Sequence, residues 1–467
     1  MGLGFRFRKY SRHDIPRPLK SLYTSHNLSD RLQKDLNLII LAGSLGMVFV
    51  AASGGAAYVG FTNLLGVSDF HYGLLAAVPI LGNLMQFVAA WLLEKTHKRR
   101  FLMVGLGLFQ RALWIPIGIV PWVIPASAYD ARIWTIITLI LLSSMSSSFV
   151  NICFQTYMGD LVPIAIRGRY ISLRSSICTA ASMVSALIIS LILDNIPAES
   201  LMLGYTLIFC ITALFGVADL ITFLFVSDPP LPPLPKKENF FHQFRHALRD
   251  KSFMWFVTFW TVWNFTSNLW GGFTSRYITG TLGFSLTTLT IAGTVIGSIA
   301  LIVGNQKWGE LLDRKGPRWV LLWSIGLLGF GHLWWFLLSP TQIWPYVFIA
   351  IFTNLVAGGV NIASGQLLLA ATPSVNRSFY VATYSVITAL MGSSIGSFLG
   401  GSILQSLSGF SFTIGSLIID HYKLVFFAGN LLRTAACMVL IGPMVSHLPE
   451  QDESPFVKAN LAAKEEK

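Results

Sequence analysis

Three apolar stretches of this sequence carry carboxamides at helical spacing, an expensive choice wherever water is excluded. Trp260, Asn264 and Asn268 stand at i, i+4 and i+8, with Trp263 and Trp270 beside them. Asn354, Gly358, Asn361 and Gly365 follow i, i+4, i+7 and i+11, and Ser144, Ser148, Asn151 and Gln155 repeat that spacing. Residues so spaced share one face of a helix. An amide in hydrocarbon is costly unless it is partnered or faces water. Each face therefore lines a polar cavity or bonds a neighbouring helix. Indoles beside amides suit a neutral polyhydroxylated or amphipathic ligand, since amides donate and accept while rings stack on apolar faces. Sugars and drug-like amphiphiles fit that description equally.

Single charges within apolar stretches are the second group. Arg111 falls about 10 residues into its stretch, at a depth of ~15 Å given a rise of ~1.5 Å per residue, and Asp219 falls at a depth of ~10 Å. At such depths the two charges can pair if their helices are neighbours, and if a proton is carried, Asp219 is its carrier. Arg433 lies at mid-depth with no evident acidic partner; it and His332 could share a polar cluster, or Arg433 could meet an anionic ligand group. Other chemistries lack their residues. His242 and His246 are four apart, but Gln243 stands where a zinc protease motif needs Glu. Gly304 and Gly309 have phosphate-loop spacing, but Glu310 replaces the Lys. The nine His are scattered, and Cys153, Cys178, Cys210 and Cys437 lie far apart. The sequence predicts no metal, no cofactor, no enzyme and no ATP-driven pump.

What must position these residues is a membrane protein. Of 467 residues 54% are hydrophobic and 12% charged, with a mean hydropathy of +0.63. Soluble domains carry about a quarter charged residues. Twelve apolar stretches are long enough to cross a bilayer, at roughly 36–60, 71–93, 101–123, 132–157, 170–193, 203–226, 253–276, 287–305, 318–338, 342–370, 380–405 and 423–448. Arg111, Arg174 and Arg433 are inside stretches, and Arg132, Arg276 and Lys423 fall on one side. All others of the 33 Lys and Arg fall on the opposite side. Cytoplasmic loops retain Lys and Arg, so both termini are expected to be cytoplasmic. The net charge of +12 is thus topology, and no nucleic-acid partner is expected.

The predicted organisation is a cytoplasmic tail over 1–35, a six-helix bundle over 36–226, a cytoplasmic linker over 227–252, a second six-helix bundle over 253–448 and a tail over 449–467. The linker opens with five prolines between Pro229 and Pro235, which favours extended chain. The halves match at several points. Pro163 to Tyr170 and Pro373 to Tyr380 both read P-x-x-x-R-small-x-Y. Leu65-Gly66-Val67-Ser68 pairs with Leu282-Gly283-Phe284-Ser285, and Tyr205 to Phe209 with Tyr422 to Phe426. Gly309 to Arg318 reads G-x-L-x-D-R-x-G-x-R. An earlier copy, Ala90 to Arg99, matches its two Leu, sets Glu94 against Asp313, Lys95 against Arg314 and Arg99 against Arg318, and lacks both glycines.

This acidic-then-basic loop, once per half, resembles the hallmark loop of the major facilitator superfamily of transporters. The resemblance covers residues 36–448. It implies an all-α membrane protein of twelve transmembrane helices in two bundles, a central cavity lined by helices one, four, seven and ten, and alternating access by a rocker switch. The implied cavity residues are Trp260, Trp263, Asn264, Asn268, Asn354, Asn361, Asn151 and Gln155. The implied gating residues are Asp313, Arg314, Arg318, Glu94 and Arg99, with the second copy as the better lock. Helices three and six would then be neighbours, so an Arg111–Asp219 ion pair is expected, and small-residue stripes such as Gly392, Gly396 and Gly400 would lie between the halves. A small-molecule substrate is expected, a sugar or other neutral polar solute, with or without a coupling proton. A multidrug exporter, or a transporter fold reused as a receptor or assembly factor, would give the same sequence pattern. A monomer in a bacterial cytoplasmic (inner) membrane is expected.

Overall fold

The computed structural model describes residues 29–96, 99–228, 247–372, 377–414 and 417–447. Among these, helical rods fall on every predicted apolar stretch. We number them α1 Asp30–Leu64, α2 Asp69–Thr96, α3 Arg99–Val123, α4 Tyr129–Leu161, α5 Ile164–Asp194, α6 Leu201–Thr222, α7 Lys251–Gly271, α8 Leu286–Leu312, α9 Arg314–Leu337, α10 Trp344–Ala371, α11 Tyr380–Ser406 and α12 His421–His447. Ten are long and apolar enough to cross a membrane. The other two are α2, which breaks into Asp69–Gly82 and Met85–Thr96, and α7, whose Trp, Thr and Asn lower its hydropathy. Both tails and most of the linker lie outside the described residues.

Punctuation in the sequence sets the turns. Gly66 and Gly283 adopt positive φ, 64° and 72°, which glycine does without strain. Two residues on, Ser68 and Ser285 accept from the backbone N–H of His71 and Thr288 and cap the following helices. The matched L-G-x-S turns thus fold alike. Near the start of α9, Gly316 breaks the helix at φ 78°, ψ 166°, and Pro317 resumes it.

One asymmetry separates the halves. Tyr277–Thr281, Thr290–Ile296 and Thr388–Ser394 are π-helical, all in the second half. A short antiparallel hairpin, β1 Ser411–Ile414 and β2 Leu417–Asp420, joins α11 to α12. Large apolar side chains such as Phe101, Phe225, Trp344 and Val439 are exposed around the rods, as a lipid-facing surface requires.

The buried residues fall into three clusters, and their placement is uneven. Towards the charge-poor end a single core crosses from one half to the other. It joins Phe61, Leu65, Tyr72 and Tyr205 to Phe273, Tyr277, Leu286, Tyr422 and Phe426. Towards the charge-rich end there are two cores. One contains only first-half residues, including Leu36, Leu102, Tyr157 and Tyr170. The other contains only residues from Ala247 onward, including Phe253, Leu312, Leu367 and Met444. The halves are fused at one end and separate at the other.

Candidate functional site

The fused end is held by polar bonds as well as by rings. Asp69 opens α2 and is 8% exposed. Its carboxylate accepts from Arg276 Nε at 3.0 Å and from the Tyr422 hydroxyl at 2.5 Å, and His421 Nε2 lies 3.9 Å away. Arg276 also donates to the Val67 carbonyl and lies 5.0 Å from the Tyr72 ring. Every side chain that meets the Asp69 carboxylate belongs to the other half. Burial alone would raise the pKa of this carboxyl. The bonds from His421 and Tyr422 and the charge of Arg276 outweigh that and hold it below the ordinary carboxylate range.

Four further bonds cross at the same end. Asp194, at the end of α5, accepts from the backbone N–H groups of Leu286 and Thr287 at 3.0 and 2.7 Å, where a carboxylate meets the positive end of α8. Asn63 donates to the Thr279 hydroxyl at 2.9 Å. Ser190 and Thr290 share a hydrogen bond of 2.7 Å. Beside this cluster a cleft of about 520 Å³ is lined by both halves, with Asn63, Asp194, Tyr205, Arg276 and Tyr422 among its walls.

No comparable bond joins the halves at the charge-rich end among the described residues. Arg99 is buried, 1% exposed, but within its own half. It pairs with Asp160 at 2.5 Å and Asp228 at 2.9 Å and lies over the Tyr157 ring. Arg314 and Arg318 are exposed. The side chains of Asp313 and Glu94 lie outside the described residues.

The carboxamide stripes divide between two uses. Asn264 Nδ2 donates to the Trp260 carbonyl at 2.7 Å, and its Oδ1 accepts from Ser393 of α11 at 3.4 Å. Asn268 donates to the Asn264 carbonyl and to Ser393. Asn354 donates to the Ala350 carbonyl at 2.9 Å and lies against Gly297 of α8. These amides are therefore satisfied within the second half, beside a buried Trp260 and a half-buried Trp263. Ser148 bonds the Gly82 carbonyl where α2 breaks. Asn151 and Gln155, bonded to each other at 3.1 Å, and Asn361 on the other half are exposed near the charge-rich end. Among the described residues no hydrogen bond joins one stripe to another.

The glycine stripe of α11 faces α7 rather than the other half. A Cβ on Gly396 would stand 2.4 Å from the Phe265 carbonyl oxygen, and one on Gly400 would stand 2.0 Å from that of Leu269. The contact between halves comes from the next face round, where Ser397 and Gly401 meet Gly73. The expected intramembrane pair is present: Arg111 Nη2 lies 3.3 Å from Asp219 Oδ2, and Arg111 stacks 4.1 Å over Phe49.

A sequence profile of the Major Facilitator Superfamily matches residues 37–305 and 263–427. The chain belongs to that superfamily. No curated protein sequence matches it. Among solved structures it is similar to a bacterial homologue of the human lysosomal transporter Spinster in an inward-facing, occupied conformation. That match has 14% identity and a TM-score of 0.64, covering 90% of this chain and 96% of the other. It is also similar to an auto-inhibited POT-family peptide transporter, at 11% identity and a TM-score of 0.68, covering 90% and 98%. The xylose transporter XylE from E. coli, inward open, matches at 12% identity and a TM-score of 0.64, covering 91% and 98%. These likenesses establish the fold, while the superfamily profile and the many apolar helices make the chain an integral, multi-pass membrane protein of a transporter family whose members are not generally enzymes.

Proposed function

We propose that this superfamily member is a secondary transporter that moves a small solute by alternating access. The observation that carries the reading is the division of the core: one shared core at the charge-poor end, two separate cores at the charge-rich end. An interface that packs and opens as a unit has two discrete arrangements, and this is one of them. The excess of Lys and Arg puts the separated end in the cytoplasm, so the arrangement is inward-facing, in a cytoplasmic (inner) membrane of bacterial type. A proton is not required by any residue of the latch that Asp69, Arg276 and Tyr422 form between the halves; if one is coupled, Asp219 remains the candidate carrier.

The solute is a neutral polar molecule such as a sugar. Half-buried Trp263 supplies a ring face, backed by buried Trp260, and the partly buried amides of Asn264, Asn268 and Asn354 each keep donor or acceptor capacity beyond the bonds they make in the second half. Uptake into proteoliposomes across sugars, nucleosides, peptides, organic anions and lipophilic cations tests both statements. Saturable uptake of one neutral class, lost when Asn264→Leu is introduced, supports them. Preferential accumulation of lipophilic cations would replace the solute class, and no uptake or counterflow of any compound would defeat the transport reading.

A further inference from the structure

The two halves treat their buried guanidinium groups differently. In the first half Arg111 stacks on Phe49 of α1 and is paired with Asp219. In the second, Arg433 stacks on Trp263 of α7, 4.9 Å from the ring, with Trp270 at 5.3 Å. Arg433 is 5% exposed, in the middle of a membrane helix. Its one polar bond is from Nη2 to Asn430 Oδ1, at 2.6 Å, while its Nε has no partner. Among the described residues no carboxylate pairs with it. Burying an unpaired cation costs more than contacts with aromatic rings return. A neutral amide, whose own nitrogen is spent on the Gly329 carbonyl, does not balance the charge.

We propose that Arg433 is an anion site, where a small monovalent anion supplies the counter-charge that Asp219 supplies to Arg111. Two sources share this chemistry: a halide from solution, or a carboxylate carried by the solute. The second rests on the transport reading above and would replace its neutral solute by a carboxylate-bearing one; the first does not. The geometry suits a compact anion, because the guanidinium is fenced by two indoles and Asn430, and its fork presents an unused Nε–H.

The test needs no transport. Protein in lipid nanodiscs is titrated with chloride, and separately with acetate and benzoate, against isethionate at constant ionic strength. Tryptophan fluorescence and the thermal midpoint are recorded. At least one series should give a saturable change in both signals. A chloride response identifies the inorganic ion, and a response to carboxylates alone identifies the solute's group. Asn430→Asp places a carboxylate on the guanidinium from within the chain and should weaken the apparent affinity at least tenfold. Flat titrations of the wild-type protein overturn the proposal, whatever the variants do. An undiminished response in both Asn430→Asp and Arg433→Gln places the anion elsewhere and overturns it too.

Discussion

Asp69→Asn is the substitution that bears most directly on how the halves are held. The amide keeps an acceptor for the Tyr422 hydroxyl but loses the charge that faces Arg276. A hydrogen bond to a charged group contributes about 1.5–3 kcal/mol, and a neutral one about 0.5–1.5 kcal/mol. The difference, about 1.4 kcal/mol, is tenfold in an equilibrium constant. The conformer closed at the charge-poor end should therefore lose about tenfold in population relative to the conformer open there. Spin labels at Glu199 and Thr341, exposed on the two halves at that end, and at Gln155 and Asn361 at the other, would read both separations in one protein. Asp69→Asn should add a longer component at the first pair and a shorter one at the second. Acid should act the same way, with a definite window. The folded pKa lies below the ordinary value, so this carboxylate contributes fully at neutral pH and is lost only as pH falls through the lowered value. Between pH 5 and 8 the distances should not respond to Asp69. Unchanged distributions in both Asp69→Asn and Arg276→Gln would refute the latch.

Arg99→Gln should destabilise the first half by about 3–5 kcal/mol, because it leaves Asp160 and Asp228 facing a neutral group; a fall in the thermal midpoint with solute affinity retained would check this. Asp219→Asn leaves Arg111 buried without its counter-charge and should cost roughly as much, again visible in thermal unfolding. Gly316→Ala forces an L residue into backbone open essentially to glycine, at about 1–3 kcal/mol, and should slow solute exchange more than it weakens solute binding. Gly400→Val should block the approach of α11 to α7 and lower the yield of folded protein, whereas Gly105→Ala, where a Cβ meets nothing within 4 Å, should be silent.

Helices were legible because hydrocarbon length, charge sidedness and turn residues all act locally. Gly66, Gly283 and Gly316 announced turns that the structure contains, and depth along a helix, with helices three and six as neighbours, was enough to pair Arg111 with Asp219. The latch was harder to read. Asp69 follows Ser68 and looks like any acidic residue in a first helical turn. Its partners lie 207 and 353 positions away, and nothing in local spacing selects them. The usable signal was chemical: Arg276 is one of three basic residues on a side otherwise poor in them, and a buried cation needs an anion. Which face of α11 meets the other half was also beyond spacing alone. The Gly392, Gly396 and Gly400 stripe and the Ser397 and Gly401 stripe are both small and differ by one position. Only the packing of α7 decides between them.

The three π-helical segments bear on stiffness. A π turn takes in one residue more than an α turn and weakens the run of backbone bonds on either side. All three described here lie in α8, α11 and the extension of α7, which touch the first half through Ser190, Asn63 and Gly73. When the fused end parts, flexure should concentrate in those segments, while the first half moves as a stiff lever. Deleting one residue from Thr388–Ser394 would turn that spring into a plain rod, and the machine would keep its shape but lose its compliance.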